Sequence, residues 1–418
     1  MTEHAPARRL SLNLFIHPAG HHEAAWRHPD TQPERIFTAD FYTELARTAE
    51  AARFDAVFFA DGPVLHDGVE FNSVGRLEPI LTLASIAAAT TRIGLIATAS
   101  TTFYDPYNLA RLFSTLDHLS NGRAGWNIVT TASEDAARNF GLDSHPDHVE
   151  RYARAAEFVE VTTRLWDSWE DDAVLIDRAS GRYADPAKIH DAAFRGEHLR
   201  VEGAFNAARS PQGHPVLVQA GASNEGRAFA SRYAEAIFTA HQRLADAQAF
   251  YADIKAGAEA LGRSRDAVKI LPGISPFIAS TEDEARALER EQPTVRGLLH
   301  RLAGARGHRV VAGTPEQVAD TIEEWFTQGA ADGFNVMPPY LPGGLDDFAD
   351  HVVPILRERG LFRTEYEGTT LRDHLGLARP ESRYATRAAD VLPEASGADE
   401  ASGAVGQEGA RTTEPVLA

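Results

Sequence analysis

Eight apolar runs of strand length punctuate the chain: Leu12–Ile16, Ala56–Ala60, Ile93–Ala97, Ala124–Val129, Pro215–Ala220, Ala236–Ala240, Lys269–Ala279 and Phe334–Met337. They are continuous rather than alternating, the pattern of parallel strands buried on both faces. Helical periodicity fills the gaps. Phe158, Thr162, Leu165 and Trp169 repeat at helical spacing, as do Val318, Ile322 and Trp325. Thr314, Pro315 and Gln317 supply the start of the second helix: a hydroxyl cap, a proline in the first turn and a capping-box glutamine. Strands alternating with helices predict a (β/α)8 TIM barrel with insertions. A doubly wound open sheet is disfavoured, because no G-x-G-x-x-G follows the first run and the stretch Gly221–Gly226 lacks the Lys-Ser/Thr of a phosphate loop.

The barrel is expected over residues 10–375, after a flexible N-terminus at 1–9. Asp167–Gly213 is strongly polar and reads as a surface insertion between the fourth and fifth barrel strands. Residues 376–418 read as a disordered tail, dominated by Ala, Gly, Glu and Ser from about Pro380.

Composition narrows the function. The net charge of −19 gives no general attraction to nucleic acid or an anionic membrane, so a small-molecule partner is favoured. With no cysteine, disulfide scaffolds, thiolate metal sites and cysteine nucleophiles are excluded. No signal-peptide pattern or membrane-length apolar run is present, and a soluble, cytoplasmic protein is expected.

A barrel of this kind works at the C-terminal ends of its strands. The residues there are polar: His21 and His22 after the first run, Asp61 after the second, Thr98 and Ser100 at the third, and Thr130 and Thr131 after the fourth. Ser223 and Asn224 follow the fifth run and His241 the sixth. Ser223 opens a helix, where a hydroxyl and free backbone amides suit a phosphate; an ordinary serine cap is the alternative. His148 and Tyr152 share a face near the start of another helix and could grip a polar ligand edge or simply form its solvated first turn. His21-His22-Glu23 with His28 is not a metal set, since neighbours on an extended segment point in opposite directions. No G-x-S-x-G elbow supports a serine hydrolase.

Several stretches together resemble the bacterial luciferase-like flavin monooxygenases, in the branch of nitrilotriacetate and dibenzothiophene sulfone monooxygenases. They include Trp26-Arg27-His28-Pro29, Leu116-Asp117-His118-Leu119-Ser120 with Gly122-Arg123, Gly125-Trp126-Asn127, Ala137-Arg138-Asn139-Phe140-Gly141, Ser210-Pro211-Gln212-Gly213, Gly313-Thr314-Pro315-Glu316-Gln317 and Thr364–Arg372. The likeness spans about Leu12 to Leu375.

It implies a two-component monooxygenase that oxygenates a small organic substrate, at or next to N or S. Reduced FMN would come from a separate NAD(P)H:flavin reductase, with O2 as co-substrate and a homo-oligomer as the assembly. By the resemblance, flavin contacts fall on Asp61, Thr98, His148, Tyr152 and Ser223. His21 would stand beside the reactive edge of the flavin, and Thr131 near the substrate. A deazaflavin-dependent oxidoreductase and a flavin-binding protein without turnover are the competing functions. One departure stands out. Relatives carry a long lid before the Gly-Thr-Pro-Glu-Gln helix, whereas here only 286–308 fills the interval, and neither His300 nor His308 aligns with the histidine that the lid contributes in some relatives.

Overall fold

The computed structural model describes residues 8–65, 69–70, 73, 75–221, 223–290 and 307–385; the expectations for 1–7, for most of the lid interval including His300, and for 386–418 lie outside them. Strands β1 (Ser11–Ile16), β2 (Ala56–Phe59), β3 (Gly94–Ser100) and β4 (Ala124–Val129) come first. Two small hairpins follow, β5 (Val174–Asp177) with β6 (Arg182–Ala184) and β7 (Phe194–Arg195) with β8 (Arg200–Val201). Then come β9 (Val216–Gln219), β10 (Ala236–Thr239), β11 (Lys269–Ile278), β12 (Arg309–Gly313) and β13 (Gly333–Val336). All pairings in the main sheet are parallel, and the order β1-β2-β3-β4-β9-β10-β11-β13 returns to β1, so eight strands close into the barrel.

Each barrel strand divides its side chains between two layers, which is why the runs read as continuous. Leu12, Leu14, Val57 and Phe59 pack outward with the helices, whereas Phe15, Ala56, Phe58, Ile96, Val218, Ala236 and Leu271 fill the interior. Helices α1 (Ala39–Ala51), α2 (Pro79–Ala89), α3 (Pro106–Ser120), α4 (Glu134–Asn139), α5 (His148–Trp166), α6 (Asn224–Tyr233), α7 (Leu244–Ala260), α8 (Glu282–Arg290) and α9 (Pro315–Thr327) follow in chain order. The capping box at Thr314 and Gln317 is formed. The periodicity through Phe158, Thr162 and Leu165 runs inside α5, but α5 stops at Trp166. Trp169 lies beyond it, bridging to Ile189.

Strand β12 was not foreseen. β11 pairs with β10 along Lys269–Pro272 and with β12 along Ile274–Ile278, so β12 extends the wall above the point where β10 ends.

The expected boundary at 375 falls too early. A short helix, Leu371–Leu375, plugs the N-terminal mouth of the barrel: Leu371, Leu375 and Leu377 belong to the interior cluster. A Cβ on Gly94 would come within 2.4 Å of Leu371 Cδ1, so the bare backbone there makes the seat for the plug. Arg363 donates to Asp55 Oδ1 at 2.6 Å, and Arg372 makes bonds of 2.6 and 2.9 Å to Glu235, fixing the plug to the strand starts. The chain stays packed beyond it, with Arg209 donating to the Pro380 carbonyl at 2.7 Å and Arg379 to Asp171 at 2.9 Å. Burying apolar leucines outweighed the polar composition of the segment.

Arg123, Asp117 and Gln212, which carried the family likeness, are structural. Arg123 is 2% exposed and donates to the carbonyls of Ala87, Thr90, Ile93 and Ser120. Asp117 accepts from Ala124 N at 3.0 Å and Gln212 Nε2 at 2.6 Å, clasping the start of β4 to the segment before β9. Among the described residues, no helix is long and apolar enough to cross a membrane.

Candidate active site at the C-terminal rim

Closure of the parallel barrel brings all eight strand ends to one rim. At the β9 end, Ser223 caps α6: its Oγ accepts the amide of Gly226 at 3.0 Å, which leaves the hydroxyl proton for an outside acceptor. Tyr152 reaches this corner from α5. Its hydroxyl would lie 3.2 Å from a Cβ on Gly221 and 3.0 Å from one on Gly226, so both glycines keep a hollow beside it. The His148 ring packs on Tyr152 at 4.9 Å, and its Nδ1 lies 3.6 Å from Glu225 Oε2. Ser223, Tyr152 and His148 therefore form one cluster at a helix N-terminus, whose dipole favours an anion.

Two buried amide side chains lie on the adjoining strands, on opposite faces of the sheet, since Asn127 is in register with Val218 and Gln219 with Ile128. Gln219 Nε2 would lie 2.4 Å from a Cβ on Gly221 and so adjoins the Tyr152 hollow. Neighbouring β4 contributes Asn127, whose Nδ2 donates to Thr98 Oγ1 at 2.8 Å. Both amide side chains are 2% exposed, and neither Asn127 Oδ1 nor Gln219 Oε1 has a partner. Buried acceptors without donors are costly, so both oxygens are left for a water or a ligand to satisfy. Both residues fall in stretches that carry the family likeness, but neither is named from sequence as a site residue. A polar residue breaking an apolar strand run, as Asn127 does between Trp126 and Ile128, is the signal that would have found it.

Thr131, at the β4 end, takes a left-handed backbone with φ of 43°, strained for a β-branched residue. It donates to Ser100 Oγ at 2.8 Å, joining the β3 and β4 ends. His21 and Asp61 stand on the β1–β2 arc, away from the Tyr152 corner. The loop bearing His21 is pinned under the chain after β13: His21 N donates to Pro338 O at 2.9 Å, and a Cβ on Gly20 would meet Pro339 O at 2.5 Å. The His21 ring meets Phe15 edge-on at 4.5 Å, and its Nε2 lies 2.9 Å from the Phe15 carbonyl. Asp61 is half-buried; burial raises its pKa against the opposing pull of the Gly62 amide and Arg76. Burial also lowers the pKa of His22 and of His241. Among the described residues, no group of three or more His, Asp or Glu could hold a metal ion.

A closed (β/α)8 barrel whose rim carries the Ser223, Tyr152 and His148 cluster at a helix terminus and buried amide acceptors on the adjoining strands has the architecture of a small-molecule enzyme. The chain belongs to the luciferase-like monooxygenase family, whose model matches residues 15–332. It is 42% identical to N-acetyl-S-(2-succino)cysteine monooxygenase of Bacillus subtilis (strain 168), over 90% of this chain and 99% of that one. It is also 42% identical to nitrilotriacetate monooxygenase component A of Aminobacter aminovorans, over 90% and 98%. Among solved structures, a riboflavin lyase with modified FMN and riboflavin superposes with a TM-score of 0.83 at 35% identity, covering 90% of this chain and 97% of that one.

Proposed function

We propose that the chain is the oxygenating component of a two-component system, taking reduced FMN from a separate NAD(P)H:flavin reductase and inserting one oxygen atom of O2 into a small organic substrate at or next to N or S. The observation that carries this reading is the cluster of Ser223, Tyr152 and His148 at the α6 terminus, with the Asn127–Thr98 pair on the interior face of the neighbouring strands. Their chemistry suits a flavin mononucleotide: an anion at the α6 terminus and, inside the barrel, an amide oxygen without a donor of its own. The sequence has no dinucleotide fingerprint, which agrees with electrons arriving on another protein. So does the name of the Aminobacter relative, a component A. Absence of cysteine is compatible with work in the reducing cytoplasm.

In this reading Ser223 donates its hydroxyl proton to the phosphate while α6 amides face it, and Tyr152 and His148 hold the adjoining phosphate or ribityl oxygens. Asn127 Oδ1 and Gln219 Oε1 receive N–H or O–H donors of the cofactor, and Thr98 orients Asn127. Asp61, on the other arc, faces a polar edge of the ring or chain. When bound, reduced FMN supplies two electrons, so that one oxygen atom enters the substrate and the other leaves as water. The chain's task is to orient the reactants and keep bulk water out. His21, fixed by the Phe15 carbonyl, and the Ser100–Thr131 hydroxyl pair stand where they can hold or pass a proton at the reacting edge.

Anaerobic titration tests the cofactor: reduced FMN should bind at least about tenfold tighter than a reduced deazaflavin. Turnover with a flavin reductase and 18O2 should then place a single 18O atom in the product. Preference for the deazaflavin, or product without label, overturns the reading.

A further inference from the structure

The chain is almost free of oxidisable sulfur. It has no cysteine and two methionines in 418 residues, Met1 and Met337. Met337 lies at the rim directly after β13, where its amide donates to the Ile274 carbonyl at 2.8 Å. It is 2% exposed and belongs to the interior cluster with Phe15, Phe58 and Leu271, against which the partly open Phe238 packs. The next two residues hold the loop after β1: Pro338 and Pro339 accept the amides of His21 and His22, each at 2.9 Å. One thioether therefore stands in the barrel interior at the root of the segment that fixes His21.

Its surroundings leave no slack. A Cβ on Gly273 would come 2.7 Å from Met337 Sδ and 2.4 Å from His308 Nδ1, so sulfur and imidazole share the face of a bare backbone that has no room for another heavy atom. The His308 ring in turn lies flat on Phe238, with centroids 4.8 Å apart and planes 8° from parallel. An oxygen added to this sulfur is a strong acceptor set among aromatic carbons, and the crowded side towards Gly273 offers it no space.

We propose that Met337 is an oxidative modification site: hydrogen peroxide released inside the barrel converts its thioether to the sulfoxide, and the sulfoxide loosens the rim around His308 and His21. This rests on the flavin reading, which brings reduced flavin and O2 into the same chamber. When no substrate takes the oxygen atom, reduced flavin passes two electrons and two protons to O2, giving oxidised flavin and one hydrogen peroxide. The sulfur lone pair then attacks one peroxide oxygen. The O–O bond breaks, an S=O bond forms, and the second oxygen leaves as water with both protons; sulfur loses the two electrons that the peroxide gains. Because the thioether is closed off from bulk solvent, peroxide outside the barrel reaches it slowly, whereas peroxide formed within meets it on the way out. Idle turnover thus marks the chain at one atom, and reduction of the methionine sulfoxide removes the mark.

The test uses the full chain with FMN, NADH, a flavin reductase and air, without organic substrate and with excess catalase, so that peroxide does not build up outside the barrel. N-acetylmethionine amide in the same solution reports oxidation in bulk. Peptide mass spectrometry should show the gain of one oxygen at Met337 at least about tenfold faster than in the probe, and in added hydrogen peroxide without flavin the order should reverse. The oxidised parent should melt about 2 °C or more below the untreated one. Met337→Leu, of similar volume, should bind FMN within about twofold of the parent and keep its melting temperature through the same treatment. An FMN titration of the parent keeps two failures apart. No binding of FMN overturns the flavin reading and the peroxide source with it. FMN binding with Met337 unoxidised, oxidised no faster than the probe, or oxidised with no change in melting temperature overturns this proposal alone.

Discussion

Ser223 holds two duties on one oxygen, and they can be pulled apart. As an acceptor it caps α6 through Gly226 N; as a donor it faces the hollow beside Tyr152. Ser223→Ala removes both, with an expected loss of about 1 kcal/mol in urea unfolding and about tenfold in FMN affinity. Ser223→Asp keeps a capping acceptor but places a negative charge against the phosphate. Its stability should stay near the parent's while FMN fluorescence titration shows a larger loss than for Ser223→Ala. Equal losses of affinity in the two variants would mean that no anion sits there. At the same scale Thr131 holds a costly left-handed backbone, and its bond to Ser100 ties it to the β3 end.

Among the elements, the plug Leu371–Leu375 sets an acid limit on the fold. His374 is 4% exposed, and its pKa is lowered to about 4 by burial first and by Arg363 second. Above pH 6.5 the ring is neutral folded or unfolded. As pH falls below that value the unfolded chain gains a proton that the folded chain refuses until about pH 4. Its contribution is therefore complete above pH 6.5 and lost across that window, by up to about 3 kcal/mol. Urea midpoints at pH 7 and pH 4.5 should converge more strongly in His374→Leu than in the parent. An identical pH slope in both would show that the ring protonates freely in the folded state. β12 belongs to this scale too, since its pairing above β10 carries His308 into the mouth.

For the whole molecule, closure of the sheet makes a single rim, to which β3, β4 and β9 bring Thr98, Asn127 and the Ser223 corner, and β1 and β2 bring His21 and Asp61. A ligand that spans α6 and the barrel interior links elements far apart in sequence and should stabilise them together. FMN at one hundred times its dissociation constant should add about 2.7 kcal/mol and raise the melting temperature in a single cooperative step. Removal by gel filtration should reverse the shift; a melting curve indifferent to FMN would show that it does not bind the folded chain.

The sequence by itself determined the eight barrel strands, their parallel closure, the start of α9 and the rim positions, because double burial, helical period and capping are local or nearly local rules. It named Ser223, His148 and Tyr152, which the fold brings to one corner beside Gly226. What it could not reach depended on the third dimension. Asn127 and Gln219 are ordinary strand residues until closure buries their oxygens unmet, Leu377 and Pro380 read as tail until the barrel mouth offers them a seat, and His308 lies 70 residues along the chain from Phe238. Periodicity reports which side of an element is buried, and only tertiary packing decides against what.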